Sequence, residues 1–404
     1  MFVSGVGMSS GIDGKNATSR AINIANQQLN GETPNAAIIF ASSKFNQEEV
    51  IETAHSVLPK EIQLVGSSTS GEISQNGPSA TPSVVVMLIA SDTVKFITAS
   101  EQNAAQNEEA AGESLAQKLK DQTTDEIKFI ALHCDGLTVN PSVILRKLNS
   151  TFPNVPVAGG SSGDDGAFKK TYQYHNHQVL SSGVSAIAFT GDLNLSISVR
   201  HGWSPISQFR TITKAKGNLV YEIDHQPAIK LYEEFIGMEE AEKLKDVTLA
   251  ELALSYPLGL KDVESGVMLL RAPLYVDHTG SITFGGEMPE GAEVQLMIGN
   301  KELAVEAAKQ NAKYAMDNFK DNPGAALIFS CHVRNTLFES RDSSKLEIDA
   351  IQESIGKTVP LAGFYTYAEQ APIDNENLNL KTCNSHSHNE TIVTVLIGEN
   401  KNHG

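Results

Sequence analysis

This 404-residue chain predicts an α/β fold of two related halves, built from repeated helix-strand-helix-strand units with mixed sheets covered by helices. Three observations carry that expectation. A short apolar strand followed by glycine, small or polar residues and a carboxylate occurs three times. Each copy is preceded by the same order of helix, apolar strand and helix. Each is followed by one more apolar strand. Strands alternating with helical patterns at this spacing belong to layered α/β proteins.

In chain order, the first helix pattern of each repeat falls at 16–29, 108–119 and 302–319. In the last of these, Ala307, Ala308, Ala312, Ala315 and Met316 form the stripe of one buried helix face. An apolar run follows at 37–40, 129–132 and 326–329, and unbroken runs of this length suit strands covered on both faces. Second helices are predicted at 47–58, 140–152 and 345–355. The glycine motifs come next: Gly66-Ser67-Ser68-Thr69-Ser70-Gly71-Glu72, Gly159-Gly160-Ser161-Ser162-Gly163-Asp164 and Gly363-Phe364-Tyr365-Thr366-Tyr367-Ala368-Glu369. Glycine there lets the backbone turn or be approached closely. The motifs are thus either walls of one binding site or corners that the fold makes three times. Strands at 83–90, 183–190 and 391–398 close the units.

A fourth, degenerate copy is read at 281–287, with a strand at 293–298. That count gives four units in two halves, with domains at 1–200 and 201–404. The boundary is set at His201-Gly202-Trp203-Ser204-Pro205, where glycine and proline mark a turn.

Composition narrows the function. A 40% apolar and 20% charged chain is globular, and its length favours more than one core. A net charge of −17 opposes nucleic acid and anionic membranes as partners. No run approaches the ~18 apolar residues of a membrane span, and residues 1–8 lack a secretory pattern. Three cysteines, Cys134, Cys331 and Cys383, form no C-x-x-C pair and suit a reducing compartment, so a cytoplasmic location is expected.

The residues that carry chemistry gather at the third motif. Cys331 and Arg334 follow the strand at 326–329, so they are expected at a strand's carboxyl end beside Glu369, where open α/β sheets place ligands. Arg334 suits a ligand carboxylate, with Glu369 for the opposite end; the competing reading is an internal Arg334–Glu369 ion pair with Cys331 in the core. Gly363, Tyr365 and Thr366 complete the expected ligand contacts, because bulky residues replace small ones in this copy. Asp135, in the matching place of the second unit, is read as a turn residue before Asn140-Pro141. Thr69, Ser161, Ser162, Glu72 and Asp164 are read as satisfying backbone groups around the turns. His175-Asn176-His177 and His386-Ser387-His388 place two imidazoles on one strand face, a metal-compatible spacing that also arises by chance. No nucleophile elbow, Walker loop or H-E-x-x-H motif is present, so an enzyme is not expected.

These motifs resemble the FIST family, with its FIST N and FIST C parts. The N half is similar at the first two glycine motifs and His201-Gly202-Trp203. The C half is similar at Tyr221-Glu222-Ile223-Asp224, Phe329-Ser330-Cys331-His332-Val333-Arg334, Gly363-Phe364-Tyr365-Thr366 and His388-Asn389-Glu390-Thr391. Where the family usually has glycine before the motif glutamate, this chain has Ala368. The resemblance implies an intracellular sensory protein that binds a small ligand and signals to a histidine kinase or a cyclic-nucleotide signalling protein. It also implies, through a stand-alone subgroup, haem as cofactor and nitric oxide sensing, with His388 the first candidate axial ligand and Cys331 the second. Two alternatives stay open: a binder of a small organic metabolite such as an amino acid, and a cysteine-dependent enzyme acting through Cys331.

Overall fold

The computed structural model describes residues 1–79, 82–242, 256–262, 266–338, 340–373 and 384–400; Cys383 lies outside them. Three copies of one unit surround a shared core. Unit one comprises a first strand Phe2–Ser10, a helix Gly14–Gln27, a central strand Ala36–Ser42, a helix Gln47–Val57 and a glycine strand Gln63–Thr69. A hairpin, Glu72–Ser74 with Gly77–Pro78, and a return strand Ser83–Ser91 complete it. Unit two repeats the order as Val94–Glu101, Glu108–Asp121, Ile127–Cys134, Pro141–Thr151 and Val157–Gly160, with the hairpin Gln173–His175 and Gln178–Leu180 and the return strand Val184–Gly191. Unit three opens with Leu193–Arg200 and resumes at Lys301–Asp317, Ala325–Cys331, Arg341–Ile355 and Leu361–Thr366. It ends with the hairpin Glu369–Pro372 and Ser385–His388 and the return strand Ile392–Glu399.

Local chemistry sets these boundaries. All six long helices of the units start on a side-chain cap: Asp13, Asn46, Asn107, Asn140, Asn300 or Ser340 accepts an N–H of the first turn. In each sheet the central strand runs parallel to the glycine strand and antiparallel to the return strand. The sheets are therefore mixed, as expected.

The register explains the repeated glycine. Ile39 faces Gly66, Leu132 faces Gly159 and Ile328 faces Gly363. A Cβ on these glycines would stand 1.8, 1.9 and 2.0 Å from the carbonyl oxygens of Ile39, Leu132 and Ile328. Each glycine is a crossing point where two strands touch backbone to backbone.

Beyond each glycine the chain changes sheet. The hairpin of unit one joins the sheet of unit three, with Ile73 opposite Gly363. That of unit two joins unit one, with Tyr174 opposite Gly66. That of unit three joins unit two, with Gln370 opposite Gly159. The exchange is cyclic and ties all three sheets together.

One face of each sheet lines the common core, which holds Phe40, Phe129, Phe189, Phe329 and Phe364. Helices cover the opposite faces with three further apolar clusters. That double burial is why the central strands read as unbroken apolar runs. By register Phe40, His133 and Phe329 are equivalent, and their rings meet at the centre, 5.4 to 6.3 Å apart.

The expected fourth unit is not a unit of this kind. Ile282–Phe284 and Glu293–Gly299 belong to a nine-stranded sheet inserted between the first strand and first helix of unit three. Every pairing in that sheet is antiparallel. A glycine beside a strand resembled the motif, yet among the described residues no parallel strand pairs with it. Trp203 pairs with Gly299 at the neck of the insertion, and the sheet has its own apolar core.

Candidate functional site

Because the register equates the units position by position, each unit serves as a control for the others. Glu72, Gln173 and Glu369 open the three hairpins and face the equivalent residues Phe364, Ser67 and Gly160. Ser42, Asp135 and Cys331 stand at the equivalent ends of the central strands. All six are buried.

In unit one the hydroxyls of Thr69 and Ser83 donate to the two oxygens of Glu72. In unit two Gln173 donates to Ser162 Oγ at 3.0 Å and accepts from Gly183 N–H at 3.1 Å. Asp135 there accepts from the N–H groups of Leu137, Thr138 and Ser182 and from Thr171 Oγ1, so it does serve a turn.

Unit three breaks the pattern. Thr391 donates its N–H and hydroxyl to Glu369 Oε2, at 3.0 and 2.8 Å. The Cys331 thiol, a weak donor, is the partner beside the carboxyl's other side, and Glu369 Oε1 accepts from no N–H or O–H among the described residues. Neighbouring Glu390 is fully buried, and neither of its oxygens has a partner among the described residues. Its φ of 59° puts a glutamate in the left-handed region, like Ser182 of unit two at 52°. Two buried acids short of partners are a costly arrangement that the sister units avoid.

Charge follows from burial. Desolvation pushes the Glu369 carboxyl up to about 8, opposed by the bonds from Thr391. Desolvation, then the charge of Glu369, pushes Glu390 well up. Burial and both glutamates raise the Cys331 thiol, so it is no thiolate nucleophile. Burial lowers His388 to about 3 and His201 to about 4, which keeps both imidazoles neutral. His388 Nε2–H donates to the Ala371 carbonyl at 3.1 Å, and the Trp203 N–H donates to His201 Nδ1 at 3.2 Å.

A cavity of about 200 Å³ lies at the seam between unit three and the inserted sheet; Thr391, which bonds Glu369, is in its wall, and the acids themselves stand behind that wall. His201, His388, Thr391 and Arg200 line it from the unit, and Val267 and Leu269 from the insertion.

The sequence-predicted residues divide accordingly. Cys331 and Glu369 come together, and Glu369 pairs in register with His388, which alone of the three lines the cavity. Arg334 is buried beneath them but engages Glu347: Nε and Nη2 lie 2.9 and 2.6 Å from Glu347 Oε1, and Nη2 donates to the Ala304 carbonyl at 2.7 Å. Tyr365 is buried next to that pair, where Glu347 and Arg334 act on its phenol. Thr366 Oγ1 donates to the Ser161 carbonyl, closing a turn between units. Gly363 is a strand crossing. His201, Glu390 and Thr391 were not singled out from the residues, although the motifs His201-Gly202-Trp203 and His388-Asn389-Glu390-Thr391 contain them. Among the described residues no three His, Cys, Asp or Glu side chains are grouped to hold a metal ion. No described helix is long and apolar enough to cross a membrane.

Comparison with known proteins gives one family. The FIST N domain model matches residues 35–226 and the FIST C domain model matches residues 228–372. An uncharacterized protein of Methanocaldococcus jannaschii is 26% identical over 69% of this chain, which spans 56% of that protein's length. An uncharacterized protein of Mycobacterium tuberculosis is 23% identical over 92% of this chain and 96% of its own. Among solved structures, a cyanuric acid hydrolase from A. caulinodans aligns over 99% of this chain and 100% of its own, with 7% identity and a TM-score of 0.38.

Proposed function

The chain belongs to the FIST family, whose domains are sensory and bind small ligands, and on that premise we propose that its ligand occupies the seam beside Glu369 and Glu390. The observation that carries this reading is the pair of buried acids: Glu390 has no partner for either oxygen among the described residues and Glu369 has a thiol beside its second oxygen, at a position where unit one gives its acid two hydroxyls. Such oxygens accept from a ligand ammonium or N–H. A small organic metabolite with a cationic end, such as an amino acid, fits a cavity of about 200 Å³. Arg334, already paired with Glu347, does not serve the ligand's other end.

Haem, with nitric oxide sensing through it, is what the resemblance implies. The residues around His388 do not suit it. The cavity there is smaller than the roughly 300–1,000 Å³ of ordinary ligand pockets, and His388 Nε2 is spent on a backbone carbonyl. The reading is of a binding protein rather than an enzyme, since the Cys331 thiol is held protonated.

Signalling follows from position. A ligand at the seam touches unit three and the inserted sheet together and biases how the sheet packs, as any ligand favours the state it binds better. A histidine kinase or cyclic-nucleotide signalling protein is the partner class that would read that bias.

Thermal shift against a panel of amino acids and small amines tests the site. At a hundredfold excess over Kd a ligand stabilises by about 2.7 kcal/mol. That gain should vanish in Glu390→Gln and in His201→Ala. A ligand whose shift survives both substitutions would place the site elsewhere. A Soret band after haem addition, lost in His388→Ala, would restore the haem reading.

A further inference from the structure

The two imidazoles in the wall of the seam cavity have opposite hydrogen-bonding roles to offer. A neutral imidazole carries one N–H and one lone pair, and the bond made at one nitrogen fixes the role of the other. His388 Nε2 lies 3.1 Å from the Ala371 carbonyl oxygen. A carbonyl only accepts, so Nε2 carries the hydrogen and Nδ1 keeps a lone pair. His201 is bonded through its other nitrogen. Its Nδ1 accepts the Trp203 N–H at 3.2 Å, so its Nε2 carries the hydrogen. Burial keeps both rings uncharged at neutral pH.

Both bonds go to backbone that the fold holds in place. Ala371 belongs to the hairpin strand Glu369–Pro372, and Trp203 pairs with Gly299 at the neck of the insertion. The two roles are therefore set by the tertiary structure. Each ring's other nitrogen closes no hydrogen bond among the described residues, which leaves His201 Nε2–H as a donor and His388 Nδ1 as an acceptor. Both rings line the same cavity, and they stand near enough for His201 to act on the charge of His388. His388 is only 3% exposed.

The other polar groups of the wall are engaged. Thr391 gives its N–H and hydroxyl to Glu369. Arg200 Nη1 donates to the Val199 carbonyl at 2.9 Å, and the guanidinium lies over the Tyr314 ring at 5.0 Å. Val267, Leu269 and Ile373 add an apolar side.

Taking the seam as the ligand site, on which this assignment rests, we propose that it selects a carboxamide, whose C=O accepts from His201 Nε2–H while its N–H donates to His388 Nδ1. An amide presents that acceptor and donor side by side in one rigid plane. A carboxylate has acceptors only and would set an oxygen against the His388 lone pair. An ammonium has donors only and would set a hydrogen against the His201 N–H. Joined to the ammonium that suits the acids, the amide describes an asparagine-like or glutamine-like metabolite whose methylene groups meet the apolar side.

The experiment follows the ring nitrogens of the whole chain, labelled with 15N-histidine, by NMR. Without ligand at pH 7, His201 and His388 should both be Nε2–H tautomers. An Nδ1–H tautomer of either ring would overturn the proposal and leave the seam standing as a site. The protein is then titrated with two isosteric pairs, asparagine with aspartate and glutamine with glutamate. At least one amide should shift His201 Nε2 and His388 Nδ1 saturably and bind about tenfold more tightly than its acid, or better. His201→Ala should weaken that amide by a similar factor. Equal affinity for amide and acid, tighter binding of the acid, or binding of neither amide would each overturn the proposal without touching the seam. An amide whose binding survives both His201→Ala and Glu390→Gln would overturn the seam as well.

Discussion

Glu369 and Glu390 have a thermodynamic consequence that follows from burial alone. A carboxyl whose folded-state pKa lies above its unfolded value binds its proton more tightly when folded. For Glu369, raised to about 8, that contribution is complete below the ordinary carboxyl value near 4.5 and is lost as pH climbs through about 8. Each tenfold change in proton affinity is worth about 1.4 kcal/mol, so the effect amounts to several kcal/mol. Glu369→Gln and Glu390→Gln should each melt several degrees above wild type at pH 8 and close to it at pH 5, as scanning calorimetry would report. The buried histidines slope the other way. His388 and His201 are lowered, so their contribution is complete above about 6.5 and is lost as pH falls toward 3–4. Above the histidine range only the acids remain, so a wild-type melting temperature that rises from pH 6.5 to pH 8 would contradict their account. Which residues mattered was only half legible in the chain. Cys331, Glu369 and His388 were visible as reactive types at strand ends, whereas Glu390 looked like any polar turn residue. It is buried within reach of Tyr232 from the insertion and holds a left-handed backbone, and neither has a local signature.

At the scale of elements, the three glycines are tests of the crossing geometry. Gly159→Ala or Gly363→Ala would press a Cβ against a backbone carbonyl that sits in the middle of a sheet and cannot swing away. Either change should cost about 3 kcal/mol or more, measured by urea unfolding. Gly217, whose Cβ would meet nothing within 4 Å, has a φ of +61°, so Gly217→Ala should lose only the smaller cost of the backbone. Similar losses at Gly217 and Gly363 would count against the crossing. The helices and strands of the repeats were readable because each has a local cause: side-chain caps, apolar stripes and doubly covered strands. The hairpins were not read at all. They are two to four residues per arm, rich in polar residues, and acquire strand character only by joining another unit's sheet.

At the scale of the molecule, the cyclic exchange predicts that the three units unfold together while the insertion is dispensable for the core. Trp203 and Gly299 pair at its neck, so the ends left by removing 203–299 lie side by side and a short glycine-serine linker joins them. The shortened protein should unfold in one cooperative transition by circular dichroism and show none of the ligand shifts seen with the full chain. Retention of those shifts would exclude the seam, and a chain that fails to fold would show that the insertion supports unit three.

The sequence by itself determined the repeat, its order of elements and the α/β class, because each rests on short-range patterns of burial, capping and close backbone approach. It also marked the third copy as the odd one, since aromatic residues stand there in place of small ones. Only the tertiary structure decided that the repeats number three, that a separate antiparallel sheet interrupts the third, and that Arg334 answers to Glu347 instead of Glu369. Those outcomes depend on which strands from distant parts of the chain pair with one another, and pairing is a property of the assembled sheet, not of any segment in it.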